Sequence, residues 1–153
     1  MTNHINPVND LILLFALTFA LYRVGDIWTF QVVLFPLWRR VGAKEFPAYH
    51  QAHFRSIFGV IFVPMGLSAL SAILLCFFPP LGAPHWLLGA GVALQAVLFL
   101  SLVYWIPFQL RIKREGNQPA LMRQLVNVHW TRVANLTLFA VVVLWLAWIR
   151  LQG

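Results

Sequence analysis

The chain has 153 residues, of which 61% are hydrophobic and only 10% charged, and its formal net charge is +7. Soluble domains carry about a quarter charged residues, and a soluble fold of this size has too small a core to hide so much apolar surface, whereas lipid solvates it. The bases sit in gaps between apolar runs and not in a folded basic domain, so a nucleic-acid partner is set aside and membrane lipids are the expected surroundings.

A bilayer core of roughly 30 Å takes about 20 apolar residues as helix. Four segments qualify, so the expected fold is all-α, one integral membrane domain (1–153) built as an antiparallel up-down four-helix bundle. Met1 to Asp10 holds no Lys or Arg, so no cleaved signal peptide is expected. The first span is expected over about 11–37. Within it Arg23 and Asp26 are three apart, neighbours on one helix face near mid-span. Intramembrane ionisable residues raise a functional question by default: the pair either neutralises itself and fixes packing or opens a polar pocket.

The stretch 39–56 holds Arg39, Arg40, Lys44 and Arg55, and Pro47 can start a helix that extends the second span, expected over about 57–78. On that extension His50 and His53 share a face. Ser68 lies near the middle of the second span, and Cys76 near its end reads as a small buried hydrophobe.

The third span is expected over about 84–106, with Gln95 near its middle and Gly89, Ala93 and Ala96 as a stripe for close helix packing. Gln109 follows Pro107 at its end, and Arg111, Lys113, Arg114, Arg123 and Arg132 are assigned to the next basic segment. The fourth span is expected over about 133–149, its helix starting earlier, with Asn117 as cap and Pro119 in the first turn. His129, Arg132 and Asn135 share a face near its start. The two halves resemble each other: a span ending near a proline (Pro36, Pro107), a basic segment, a helix-starting proline (Pro47, Pro119), and a further span.

The asymmetry of Lys and Arg places both basic segments in the cytoplasm, with both termini and the Pro79–Pro84 turn outside, in an inner (plasma) membrane of a bacterium. Trp38, Tyr104, Trp105 and Trp130 are expected at the cytoplasmic boundary and Trp86, Trp145 and Trp148 at the outer one. His4 and His85 are expected to face outside water.

Antiparallel packing brings His50, His53, His129, Arg132 and Gln109 to one level. Imidazoles at i, i+3 with a third from another helix admit a metal ion on His50, His53 and His129; a haem between His53 and His129 is a weaker option. Alternatively a histidine acts as general base with Arg132 or Arg55 stabilising an anion, taking a proton from a hydrophobic phenol or enol. No catalytic triad, phosphate loop or nucleotide fingerprint is present.

Three stretches carry a family likeness: VVLFPLWRRV with Pro36, YWIPFQLRIKREG with Pro107 and Gln109, and LVNVHWTRVANL with Trp130 and Arg132. With them the chain resembles a broad family of small four-helix membrane proteins that includes the anthrone oxygenase-like proteins. The stretch FPAYHQAHFRSIFGVIFVPM looks like a subgroup with paired histidines before the second span. Gln109 stands where the family pattern has Asn or His, His129 stands where it has Asn, and no acidic residue follows Pro64. The resemblance implies an oxidoreductase or oxygenase acting on a hydrophobic aromatic or quinone-type substrate. His50, His53, His129 and Arg132 are then the candidate catalytic residues, and Trp130, Asn135, Gln109, Arg23, Asp26 and Gln95 the candidate ligand contacts. The competing expectations are a non-catalytic membrane subunit or lipid-binding module, partnered by another protein or a second copy, and a dimeric transporter using Arg23, Asp26 and Gln95.

Overall fold

A computed structural model describes residues 6–152, so His4 lies outside the described residues. The described residues form four long helices: α1 (Pro7–Trp38), α2 (Phe46–Phe77), α3 (His85–Glu115) and α4 (Pro119–Gln152). With 31 to 34 residues each, they are about 47–51 Å long at ~1.5 Å per residue, more than a hydrocarbon core of roughly 30 Å needs. Every backbone amide group in lipid must be paired within its own element, and long helices meet that demand. The order around the bundle is cyclic: α1 packs on α2 and α4, and α3 packs on the same two. All four helices are long and apolar enough to cross a membrane, and the chain is an integral membrane protein with a four-helix bundle fold.

The helix ends follow local chemistry. Asn6 Oδ1 accepts from the Val8 N–H at 3.0 Å, and Pro7 opens α1. At the end of α3, Gly116 takes φ +77°, which side-chain-bearing residues rarely adopt, and its N–H bonds to the Ile112 carbonyl. The third helix does not stop near Pro107. It continues to Glu115, so Arg111, Lys113 and Arg114 lie on helix, as do Arg123 and Arg132 in α4. Pro107 lacks the N–H that would bond the Val103 carbonyl and its ring crowds that carbonyl, yet the helix continues, and the Arg111–Glu115 pair at 2.9 Å supports its last turn. Asn117 spends its amide differently from a cap: Nδ2 donates to the carbonyls of Trp38 (3.2 Å) and Val41 (2.6 Å), tying the α1–α2 connection to the start of α4.

Two further prolines shape the interior. In a regular α-helix the Pro36 ring would collide with the carbonyl of Val32. The chain widens instead into a π-helical turn over Phe30–Leu34, and α-helix resumes at Phe35–Trp38. This extra residue re-phases the end of α1, so that Gln31, Phe35 and Trp38 all face inward. Pro64, inside α2, leaves the Val60 carbonyl without its helical partner. Tyr22 Oη of α1 donates to that carbonyl at 3.1 Å.

Apolar packing is dense at the end holding both termini, where Ala16, Ala20 and Ala72 let Leu13, Leu75, Leu87, Phe139 and Leu146 interlock. Asp10 and Arg150 close that end with a two-point ion pair at 2.7 and 2.9 Å. Large apolar side chains such as Leu14, Leu70, Leu138 and Val141 point outward, as lipid contact requires. Gly89, Ala93 and Ala96 are exposed; the close approach on α3 is made by Gly91 against Phe139 and Val142. The three positions follow a helical stripe, but the polar side of α3, marked by Gln95, sits on another face. Trp38, expected at the boundary, is 1% exposed because the π-turn swings it into the bundle.

Asn117→Ala removes two part-buried hydrogen bonds between the α1–α2 connection and α4, and a loss of about 1–3 kcal/mol is expected. Thermal unfolding in mild detergent checks it; an unchanged midpoint contradicts the tie.

Candidate functional site

Below mid-depth the packing opens. A cavity of about 740 Å³ runs from Arg23 and Asp26 to the basic end of the bundle, close to His50 and Lys113. All four helices line it, and most of its wall is apolar or aromatic. The first half of α2 and the second half of α3 make few contacts with each other. Phe58 of α2 and Ile106 and Leu110 of α3 line the cavity and are also largely exposed. The cavity therefore opens sideways, between α2 and α3, onto the face that meets lipid.

The polar groups of the site come from one layer. His129 is 2% exposed, and its Nδ1 lies 2.7 Å from Gln31 Oε1. Gln31 Nε2 donates to the Val126 carbonyl at 3.2 Å, which fixes the amide so that its oxygen faces the imidazole. Nδ1 is therefore the donor, and the lone pair of His129 sits on Nε2, for which no side-chain partner exists among the described residues. The second ring nitrogen is set by the hydrogen bond of the first.

Arg132 is one turn along α4. Its Nη1 donates to Ser101 Oγ at 2.7 Å, and its guanidinium lies 5.0 Å from the centre of the Trp105 ring. Ser101 sits where α3 is interrupted between Leu100 and Leu102. Arg132 is 7% exposed, yet among the described residues no carboxylate pairs with it. Asp10, Asp26 and Glu115 are each committed to another arginine. A buried, unpaired guanidinium is costly by several kcal/mol, and an anion in the cavity would offset that cost.

On the facing wall His50 Nε2 donates to Gln109 Oε1 at a long 3.4 Å, and its Nδ1 is buried without a partner. His53 Nε2 is likewise buried, and neither atom has a partner among the described residues. Rings fill the space between these groups and His129. Trp38 lies edge-on to both His50 and His53 at 5.2 Å, Phe35 lies 5.1 Å from Trp38, and His129 lies 4.7 Å from Phe35. This row of rings stands between His129 and the pair His50 and His53. Among the described residues no three His, Cys, Asp or Glu side chains form a metal-holding group. The same row lies between His53 and His129.

Arg23 and Asp26 form the deep end of the cavity, joined at 2.6 Å, with Arg23 Nη1 reaching the Ile61 carbonyl at 3.5 Å. Gln95 does not join them: it donates to Ser68 Oγ at 3.0 Å, away from the cavity wall. Asn135 is outside the lining as well, its Oδ1 buried without a partner among the described residues. Trp130 faces outward, 45% exposed, with its ring edge-on to Trp28 at 5.5 Å. Thus His50, His53, Gln109, His129, Arg132, Arg23 and Asp26 share one cavity, and Trp130, Asn135 and Gln95 do not. His85 is exposed at the opposite end.

Sequence reasoning passed over Gln31 and Ser101, the two residues that orient His129 and Arg132. A lone amide in the apolar run of the first span was the available signal for Gln31. A hydroxyl in a span commonly bonds its own helix carbonyl, so Ser101 carried none.

No protein-family model, curated protein or solved structure matches this chain.

The assignment of His129 as the Nδ1–H tautomer is open to test by ¹⁵N NMR of ring-labelled protein in detergent. The expected spectrum has an imine-type Nε2, and Gln31→Leu is expected to shift the population toward Nε2–H. A protonated Nε2 in the unsubstituted protein contradicts the geometry.

Proposed function

We propose that the chain is a membrane enzyme of oxidoreductase type, acting on a lipid-soluble aromatic molecule with an acidic phenol, enol or activated ring C–H. One observation carries this reading. An imidazole lone pair and an unpaired guanidinium stand one helical turn apart in a ring-lined cavity that is open to lipid. The lone pair takes a proton, and the guanidinium holds the negative charge that the proton leaves behind. Trp105, Phe35 and Trp38 offer ring faces and edges to a planar substrate.

The likeness of the three sequence stretches to anthrone oxygenase-like proteins favours dioxygen as the oxidant. The reaction class then balances as follows. Nε2 of His129 accepts a proton from the ring methylene, and the charge settles on the ketone oxygen beside Arg132. Dioxygen bonds to the ring carbon, and His129 returns its proton to the peroxide. Loss of the second ring hydrogen with the outer oxygen as water leaves a quinone. One oxygen atom enters the product and the other leaves as water. Dioxygen and substrate are both lipid-soluble, which suits entry between α2 and α3.

The charge distribution supports a topology with the basic end in the cytoplasm and both termini outside, in an inner membrane. The chemistry would then take place at the cytoplasmic side of the bilayer.

The test is conversion of anthrone to anthraquinone in oxygenated vesicles holding the purified protein. Wild type is expected to accelerate it over protein-free vesicles. His129→Ala is expected to lower the rate by about 10²–10⁴-fold, the usual contribution of a positioned base. Wild-type turnover by His129→Ala removes the reading.

A further inference from the structure

The charge of the cavity wall points past the reacting group to the rest of the ligand. Arg23, Arg55, Lys113 and Arg132 line the cavity against a single carboxylate, Asp26. Asp26 is taken by Arg23 at the deep end. Arg132 sits beside Ser101 and Trp105 in the middle. Arg55 and Lys113 remain. They belong to α2 and α3, the two helices between which the cavity opens, and both are exposed. Neither has an ion-pair partner among the described residues. Two exposed cations without an ion-pair partner among the described residues thus line the cavity from the two helices that flank its opening.

Below that mouth the wall is apolar: Phe58, Ile61, Phe62, Met65, Leu102 and Ile106 line the cavity toward mid-depth. A cationic rim over an apolar shaft is complementary to an amphiphile of the opposite polarity, an apolar body carrying one ionised acid group. Long basic side chains at this level place their charge where headgroups lie and lay their stems along apolar surface. A wholly neutral ligand would leave the rim unanswered.

We infer that the cavity binds an anionic amphiphile, with its carboxylate or phosphate at Arg55 and Lys113 and its apolar body between α2 and α3. This rests on the proposed function for the role of the body and adds the class of the substrate. The anion has two sources, a lipid-soluble aromatic acid or the headgroup of an anionic phospholipid; the chemistry recognised is the same.

The test is binding, with no turnover required. Pyrene-1-butyrate and its methyl ester are titrated into the full chain in phosphatidylcholine nanodiscs. Energy transfer from the tryptophans to pyrene reports occupancy, since Trp38 and Trp105 line the cavity. The wild type is compared with the Arg55→Gln/Lys113→Gln double variant, so that partition of each probe into lipid cancels. Two rim charges of surface strength are expected to favour the acid by about tenfold. The double variant is expected to lose that advantage and to bind the ester as wild type does. Equal affinity of both proteins for the acid overturns the inference. A second arm adds phosphatidylglycerol to the nanodiscs. Displacement of the acid from wild type identifies the phospholipid as occupant, and retention identifies a free acid; either outcome supports an anion site. His129→Ala is carried in parallel. If it binds the acid as wild type does but also matches wild type on anthrone, the rim stands and the proposed chemistry falls.

Discussion

Lipid offers no hydrogen bonds, so each polar group within these four helices must find its partner inside the bundle or remain unpaired at a cost. Most of the interior follows from that constraint. Tyr22 reaches the carbonyl that Pro64 leaves free, Gln95 finds Ser68, and Arg23 finds Asp26 and the Ile61 carbonyl. Where the pairing is complete, at the end holding both termini, small residues and leucines close the space. Toward the basic end the bundle opens into a cavity with aromatic walls. Among the described residues His129 Nε2 has no side-chain partner and Arg132 has no carboxylate, and both face this cavity, as do the unpartnered His50 Nδ1 and His53 Nε2.

Proline explains how the groups come to face inward. Pro36 forces a π-turn, and the π-turn rotates Gln31, Phe35 and Trp38 toward α4. Gln31 then orders His129, while Trp38 and Phe35 hold the two sides of the cavity apart with their rings. The interruption of α3 at Ser101 supplies the hydroxyl that steadies Arg132. Helix irregularities near the site thus do local work: each one supplies or aims a single polar contact. The aromatic row through Trp38 and Phe35 also divides the polar groups of the cavity. It stands between His129 on one side and His50 and His53 on the other.

Much of the fold was legible because its signal is coarse. Four apolar runs separated by basic segments leave few options once lipid is the solvent. The Arg23–Asp26 pair was legible from spacing, since residues three apart meet on a helix. Other features depend on which way a helix is rotated, and composition carries no information on that. Gly89, Ala93 and Ala96 form a stripe, but the stripe faces outward. Trp38 and Trp130 look alike in the sequence as boundary tryptophans, yet one is buried by the π-turn and the other lies on the surface. Asn135 sits on the same nominal face as His129 and Arg132, but three and six residues along a helix drift around its axis, and Asn135 falls off the cavity wall. Gln31 needed its partner on α4 to be recognised, 98 residues away in the chain.

The central claim is that a lipid-soluble ring enters between α2 and α3 and rests against His129 and Arg132. Photolabelling tests it most directly. A diazirine-bearing naphthol is equilibrated with the protein in vesicles, activated, and its adducts are mapped by mass spectrometry. The account predicts adducts on cavity-facing residues of α2 and α3, such as Phe58, Ile61, Ile106 and Trp105, suppressed by excess 2-naphthol. Adducts confined to outward residues such as Leu138, Val141 and Leu144, with no suppression, would contradict it.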